Sequence, residues 1–247
     1  MSKPCRYAAV RRSRTERRLT MTLHLSQPPA GALHAVRSAL APGAALPPSA
    51  AAVLRHSADR PEPLLALPVH ALRGPAPRLA DADCTGWRFL LRAARPDAAG
   101  PPCPHGDCDG AGGAAHGRPE HRPLVTGEFT EDGLEHVVAA AEVAAGADGP
   151  VFSHLTAGPY LDSTVRALRQ AWQLVHPSPA HYEPRLLSLP EHYASALWLH
   201  SALPGEDLLI PLAPAPLGMA AHQVLSAAEL PVRLANAPAA RPTALIG

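Results

Sequence analysis

The sequence predicts an α+β protein in which an antiparallel β-sheet carries one long amphipathic helix packed across it, with Pro/Gly-rich loops and tails around it. Several segments have the length and the alternating or continuous apolar pattern of strands, and turn residues separate neighbouring ones. One later segment has apolar residues at helical spacing. Apolar residues make up 47% of the 247-residue chain, which is enough for a sizeable core.

The first part of the chain predicts short helices and two strands. Residues 31–40 place their apolar side chains on one helical face, and 51–57 form another helical turn. We expect 61–72 to be an edge strand, because Pro68 has no backbone N–H for a second neighbour. Residues 87–91 alternate apolar and other side chains, which predicts a half-buried strand with Arg88 on its outer face.

The second part predicts hairpins around the long helix. Segments 136–146 and 151–158 indicate a hairpin that turns at Asp148–Gly149, although the Ala and Glu content of 131–145 also allows a helix. Segments 184–190, 193–201 and 207–214 indicate strands, the last two forming a hairpin. The long helix between these hairpins is predicted by one apolar stripe: Leu161, Val165, Leu168, Trp172 and Val175.

Charge and composition divide the chain into a basic arm (1–20), a single α+β domain (21–213) with a loop insertion (95–123), and a Pro/Ala-rich C-terminal tail (214–247) with a short helix near 222–230. The formal net charge is only +1, but residues 1–20 hold seven basic residues and one acidic residue. The arm is either a solvated tail, a segment before a true start at Met21, or an electrostatic contact for nucleic acid. It lacks the apolar region of an export signal. The excess of Arg, Ala and Pro, with Lys3 the single lysine, is typical of a GC-rich genome.

Residues 103–121 contain a candidate zinc site. Cys103 and Cys108 form a C-x4-C pair, and after seven intervening residues His116 and His121 form an H-x4-H pair. Thiolate and imidazole ligands at such spacings suit tetrahedral zinc. The alternatives are a flexible polar loop and redox chemistry at the thiols. Metal analysis of protein without a histidine tag should find about one zinc per chain, and under about a third of an equivalent, with both thiols freely alkylated, would contradict the site.

Other enzyme signatures are missing from the sequence, which has no nucleophile elbow, phosphate loop or zinc-protease motif. Adjacent Ser153 and His154 are expected to point to opposite faces of a strand and not to pair. Glu191–His192–Tyr193 is interpreted as a turn with satisfied hydrogen bonds. Trp87, Trp172 and Trp198 lie on apolar faces of predicted elements, and we assign them to the core.

The function that we expect is a non-catalytic binding or regulatory module acting through protein–protein contacts or self-association, for example at the edge strand 61–72. The alternative is a zinc-dependent enzyme or a zinc-stabilised small-molecule-binding protein that uses the 103–121 segment. Few aromatic and charged residues argue against a nucleic-acid platform, and the lack of a long apolar run argues against a membrane span. Four cysteines without a signal peptide predict reduced thiols in the cytoplasm.

Overall fold

The computed structural model describes residues 23–55, 61–74, 78–93, 131–175, 181–215 and 218–236. These residues form four α-helices, eight strands of one sheet and several short 3-10 turns. The helices are α1 (Ala30–Ala39), α2 (Pro48–Arg55), α3 (Pro159–Val175) and α4 (Leu230–Asn236). The strands are β1 (Glu62–Ala71), β2 (Asp83–Arg92), β3 (Val137–Gly146), β4 (Gly149–Thr156), β5 (Tyr182–Leu189), β6 (Ala194–Ser201), β7 (Leu208–Pro211) and β8 (Leu225–Ser226).

The sheet consists of two antiparallel meanders placed side by side. Its strand order is β4-β3-β2-β1-β5-β6-β7-β8, and every neighbouring pair is antiparallel except β1 and β5, which are parallel. Helix α3 follows β4 at one edge and leads to β5 at the centre. The predicted α+β class with a mostly antiparallel sheet is therefore confirmed. A sheet covered by one long helix is not confirmed, because the described residues form four helices.

The prediction of an edge strand over 61–72 is wrong, because β1 lies at the centre of the sheet between β2 and β5. It pairs with β5 only over Val69–Ala71, immediately after Pro68. Leu72 N–H donates to the Ser188 carbonyl of β5, and alternate residues of a strand turn their backbone groups to the same neighbour. Pro68 therefore turns its nitrogen, which has no hydrogen, towards a stretch of β5 with which it does not pair.

A proline near the start of β5 also faces the stretch where β1 and β5 do not pair. Pro184 of β5 also turns its nitrogen towards β1, where no pairing occurs. Nearer its start, the Tyr182 carbonyl accepts a hydrogen bond of 2.9 Å from His24 N–H, and Leu23 is buried in the same core. The extended segment that precedes α1 therefore bonds to β5 at the point where β1 has diverged from it.

Helices cover both faces of the sheet, as the alternation of side chains along the strands requires. We call face A the side that carries Leu90 and Leu186, which pack with the apolar stripe of α3. We call face B the opposite side, where α1 packs on Phe89 in the first meander. In the second meander, Leu230 and Leu234 of α4 pack on face B against Trp198 and its neighbours.

Most local elements agree with the sequence predictions, with small shifts. Residues 137–146 are a strand and not a helix, and Gly146 pairs with Gly149, so Ala147 and Asp148 form the turn. Strand β8 and helix α4 lie within the predicted tail 214–247, and two leucines of α4 are buried. The predicted arm 1–20 and insertion 95–123 lie outside the described residues. None of the helices in the described ranges is long and apolar enough to cross a membrane.

Candidate functional site

A groove on face A lies near the carboxyl ends of the parallel strands β1 and β5. It has two adjoining parts, of about 440 and 250 Å³, which share Arg88 and Ser195. Val69 and Leu186 contribute apolar surface to the larger part. In open sheets with parallel strands, ligands bind outside the carboxyl ends of those strands, which makes this groove the leading candidate site.

Arg88 of β2 and Glu142 of β3 form an ion pair in the described lining of the groove. The two residues are cross-strand partners, and both side chains are half-buried. Arg88 Nε donates to Glu142 Oε1 at 2.6 Å, and Nη2 of the same guanidinium contacts the same oxygen. Because the opposite charges are paired, this part of the lining carries no net charge.

Hydroxyl groups line the groove on the side of the second meander. Ser188 of β5 and Ser195 of β6 are cross-strand partners and both line the larger part. A serine hydroxyl both donates and accepts hydrogen bonds, so the pair adapts to either kind of ligand group. Arg88 and Glu142 come from the first meander, and the groove therefore takes its polar groups from both halves of the sheet.

Each part of the groove is lined by one exposed tyrosine. Tyr193 is 73% exposed and lines the larger part, whereas Tyr160, at the start of α3, is 58% exposed and lines the smaller part. Tyr193 has a left-handed backbone (φ 49°) and follows a 3-10 turn over Pro190–His192. Both carboxylate oxygens of Glu191 accept hydrogen bonds from Gly74 N–H, at 3.0 and 3.2 Å. The Glu191 carboxylate in this turn is therefore hydrogen-bonded, as the sequence predicted.

Face B carries a second polar cluster, centred on the Asp207 carboxylate. It accepts hydrogen bonds of 2.8 Å from Trp198 Nε1 and from Ser201 N–H. Its Oδ2 atom also lies 3.3 Å from Nδ1 of His200. The buried Trp198 therefore has a partner for its indole N–H, and the carboxylate ties the turn after β6 to the strand.

The other charged groups of this cluster are only partly paired, because His70 Nδ1 and Arg185 Nε are buried and have no hydrogen-bond partner within the described residues. Arg185 donates to Glu183 at 2.7 Å, and its guanidinium lies 4.9 Å from the ring centroid of Trp198. Burial raises the pKa of Glu183, but hydrogen bonds from Arg185 and Ser26 outweigh it, and the pKa is lowered overall. Burial and then the charge of Arg185 lower the pKa of His70. Most of these side chains bond to one another, so we interpret the cluster as a structural support for face B.

A serine–histidine pair connects α3 to the segment after β7. Ser163 Oγ lies 3.2 Å from His222 Nε2 and accepts a 2.8 Å hydrogen bond from Ala213 N–H. The His222 carbonyl accepts from Gln170 of α3 at 2.9 Å. Although the pair resembles a nucleophile and its base, Ser163 is only 5% exposed, so a substrate has little access to its hydroxyl. These contacts anchor the chain after β7 to α3.

The lowered pKa values of two half-buried histidines, His70 and His222, predict that the free energy of unfolding falls in weak acid. Burial and then Arg166 lower the pKa of His222, and the pKa of His70 is lowered as well, both from an ordinary value of 6.5. The native state therefore binds fewer protons than the unfolded chain, so the free energy of unfolding decreases as pH falls below about 6.5. Urea unfolding between pH 7.5 and 5.5 should show this slope, and His222→Gln should reduce it. A wild-type slope in the variant would contradict the assignment.

One local prediction about Ser153 and His154 is wrong. Their side chains do pair, with Ser153 Oγ 3.0 Å from His154 Nδ1. The register between β3 and β4 shifts here: Glu142 pairs with His154 and Val143 with Phe152, which leaves Ser153 as an extra residue. Such a bulge breaks the strict alternation of side chains. The pair lies exposed on the outermost strand β4.

The predicted zinc ligands Cys103, Cys108, His116 and His121 all lie outside the described residues, so the zinc site stays a prediction. Within the ranges that the structure describes, no group of three or more His, Cys, Asp or Glu side chains could hold a metal ion. The groove has no signal in the sequence, because Arg88 and Glu142 are far apart in the chain and neither belongs to a local motif. No family model matches the chain, and neither the curated proteins nor the solved structures give a significant match.

Proposed function

We propose that the protein is a non-catalytic binding module that takes an extended segment of a partner protein in the groove on face A. The observation that carries the proposal is the make-up of this groove, which consists of two adjoining parts that share Arg88 and Ser195 and are each lined by one exposed tyrosine. An elongated site of this kind suits a chain segment that lies along it.

The chemistry of the lining supports binding to protein. Tyrosine is enriched at protein interfaces, because it combines a large apolar surface with a polar group at little cost in side-chain entropy. Val69 and Leu186 offer apolar contacts, and the serine pair offers hydrogen bonds to a backbone. This combination of an apolar centre with polar groups is typical of interfaces that bind and release a partner.

The same lining does not favour catalysis. A catalytic acid or base needs to reach its substrate with a proton to give or take. The charged side chains of the described lining, Arg88 and Glu142, are engaged with each other. The Ser163–His222 pair and the cluster around Asp207 do not line either part of the groove.

A phage-displayed library of random dodecapeptides, selected on the full chain, tests the proposal. We expect enriched peptides that bind wild type and lose at least about tenfold in affinity for Tyr193→Gly, which removes the ring while suiting the left-handed backbone. Ser195→Trp, which fills the shared part of the groove, should abolish binding. Val232→Ser on α4, at a side chain 64% exposed and remote from the groove lining, is the matched control and should bind as wild type.

Two results would contradict the proposal: no enriched peptide, or peptides whose affinity is the same for wild type and both groove variants. Circular dichroism and the urea midpoint of each variant establish that it is folded.

A small-molecule-binding protein is the second candidate, favoured by the volume of the larger part, about 440 Å³, which lies in the range of such sites. In the zinc-stabilised version, residues 103–121 border the pocket. A fragment library with NMR detection distinguishes the candidates: fragments that shift the signals of Ser188 and Ser195, without any peptide that binds there, would favour the small molecule.

A further inference from the structure

We infer that His70 is a pH-sensitive switch in the contact between β1 and β5: its protonation in weak acid opens this contact and thereby disrupts the groove. The inference rests on the proposed function for its consequence and deepens it, since it names a condition under which the bound segment is released. The opening of the contact itself concerns the free protein alone.

His70 lies in the middle of the contact that joins the two meanders. β1 pairs with β5 through three residues, and His70 is the second of them. Its imidazole lies on face B, where it contacts the indole ring of Trp198 edge-on, with the ring centroids 5.4 Å apart. On face A, Val69 and its partner Leu186 in the same contact both line the groove. A separation of β1 from β5 therefore changes the surroundings of His70 and the groove together.

The surroundings of the His70 imidazole disfavour a positive charge. Its Nδ1 atom is buried and has no hydrogen-bond partner within the described residues. Arg185 comes immediately before the contact on β5, and its guanidinium lies 4.9 Å from the centroid of the Trp198 ring that His70 also contacts. Burial and then the charge of Arg185 are the two largest effects that lower the pKa of His70.

The other groups that face His70 do not cancel these two effects. His200 of β6 also lowers the pKa of His70, whereas Glu183 of β5 and the backbone of Pro68 raise it, and the balance is a lowered pKa. The Glu183 carboxylate is itself engaged in hydrogen bonds. On β2, the residue opposite His70 is the exposed Cys84. The closed contact therefore holds the neutral form of His70.

The direction of the switch follows from this lowered pKa. When β1 and β5 separate, His70 regains water and moves away from Arg185, so its pKa returns towards the ordinary value of 6.5. The open form then binds a proton more readily than the closed form, and opening becomes more favourable as pH falls below about 6.5. One such group changes the opening equilibrium by at most about tenfold per pH unit.

Hydrogen exchange followed by NMR on the free, full-length chain tests the switch. The probe is the amide of Leu72, which donates to the Ser188 carbonyl across the contact. Its protection factor compares its exchange rate with that of an unstructured peptide at the same pH. We expect this factor to fall from pH 7.5 to 5.5 by at least about threefold and at most about tenfold.

Two substitutions at His70 remove the titrating group, and a third variant is the matched control. His70→Phe keeps an aromatic ring against Trp198, and in this variant the Leu72 protection factor should change by less than about 1.5-fold between the two pH values. His70→Gln should behave in the same way. His222→Gln removes the other half-buried histidine whose pKa is lowered, and its Leu72 protection factor should fall as in wild type.

The affinity of a groove-binding peptide without histidine tests the consequence for the groove. Opening reduces the fraction of protein that is competent to bind, so the measured affinity falls with that fraction. In calorimetry, we expect binding to wild type and to His222→Gln to be at least about twofold weaker at pH 5.0 than at pH 7.5. Binding to His70→Phe should be the same at both pH values.

The outcomes separate this inference from the proposed function. An unchanged Leu72 protection factor in wild type, or an equal fall in wild type and both His70 variants, would overturn the inference. Exchange of Leu72 only together with the amides of the β2–β3 pair would also overturn it, because the contact would then not open by itself. A wild-type affinity that is independent of pH would show that His70 does not control the groove, and would leave the proposed function standing. Failure to obtain any groove-binding peptide would overturn the proposed function, whereas the Leu72 result would still decide whether His70 opens the contact.

Discussion

Replacing Asp207 by Ala is expected to lower the free energy of unfolding by about 3 kcal/mol. The reason is that the carboxylate accepts from the indole N–H of Trp198 and from the backbone N–H of Ser201, and both bonds measure 2.8 Å. Removing it leaves two buried donors without partners, each of which is unfavourable by about 1–3 kcal/mol. Urea unfolding followed by tryptophan fluorescence measures the change.

Two variants control the Asp207 result. Asp207→Asn keeps an acceptor oxygen and should lose about half as much stability. Glu206→Ala removes a neighbouring carboxylate that is exposed on the same turn, and should change the free energy of unfolding by less than about 0.5 kcal/mol. If Asp207→Ala were as stable as wild type, the hydrogen bonds to Trp198 and Ser201 would not hold this turn.

Replacing Gly86 by Ala is expected to lower the free energy of unfolding by about 1–3 kcal/mol. A Cβ atom at Gly86 would lie 2.1 Å from the backbone carbonyl oxygen of Val143 in β3. This oxygen belongs to a pair of interior strands, so the clash can be relieved only if β2 and β3 move apart. Denaturant unfolding gives the magnitude.

Gly31→Ala should instead raise the free energy of unfolding. A Cβ there would be 3.4 Å from the nearest atom, a side-chain carbon of Pro150, which is ordinary contact distance. Since Gly31 lies in α1, Ala should stabilise the protein by about 0.5–1 kcal/mol through its higher helix propensity. Equal effects at the two glycines would contradict the close approach of β2 and β3.

The elements that the sequence predicts well are those with a local signal. The stripe of α3 repeats over four turns, and the turn near Asp148 lies between two apolar segments, so each pattern is complete within a short stretch of chain. The position of β1 has no such signal. Pro68 does indicate a residue without a backbone donor, which is typical of an edge strand. The structure shows that β1 and β5 diverge at this point, so the strand accommodates the proline inside the sheet.

The candidate site could not be predicted from local patterns. The alternation of Trp87, Phe89 and Leu91 correctly separates two faces, but it also predicts Arg88 on a solvent-exposed outer face, which is wrong. The structure places Arg88 on face A, which also carries the buried Leu90 under α3, so both sides of this strand are interior over part of their length. The pairing of Arg88 with Glu142 depends on the register of β2 with β3, which the sequence alone does not specify.

The short contact between β1 and β5 has a mechanical consequence. The two meanders are joined within the sheet by only three residue pairs, Val69–Ala71 with Leu186–Ser188. The groove spans this seam, with Arg88 and Glu142 on one side of it and Ser188, Ser195 and Tyr193 on the other. A segment bound in the groove would therefore contact both meanders and hold them together. The backbone amides of the β1–β5 contact would then exchange with solvent more slowly in the complex than in the free protein.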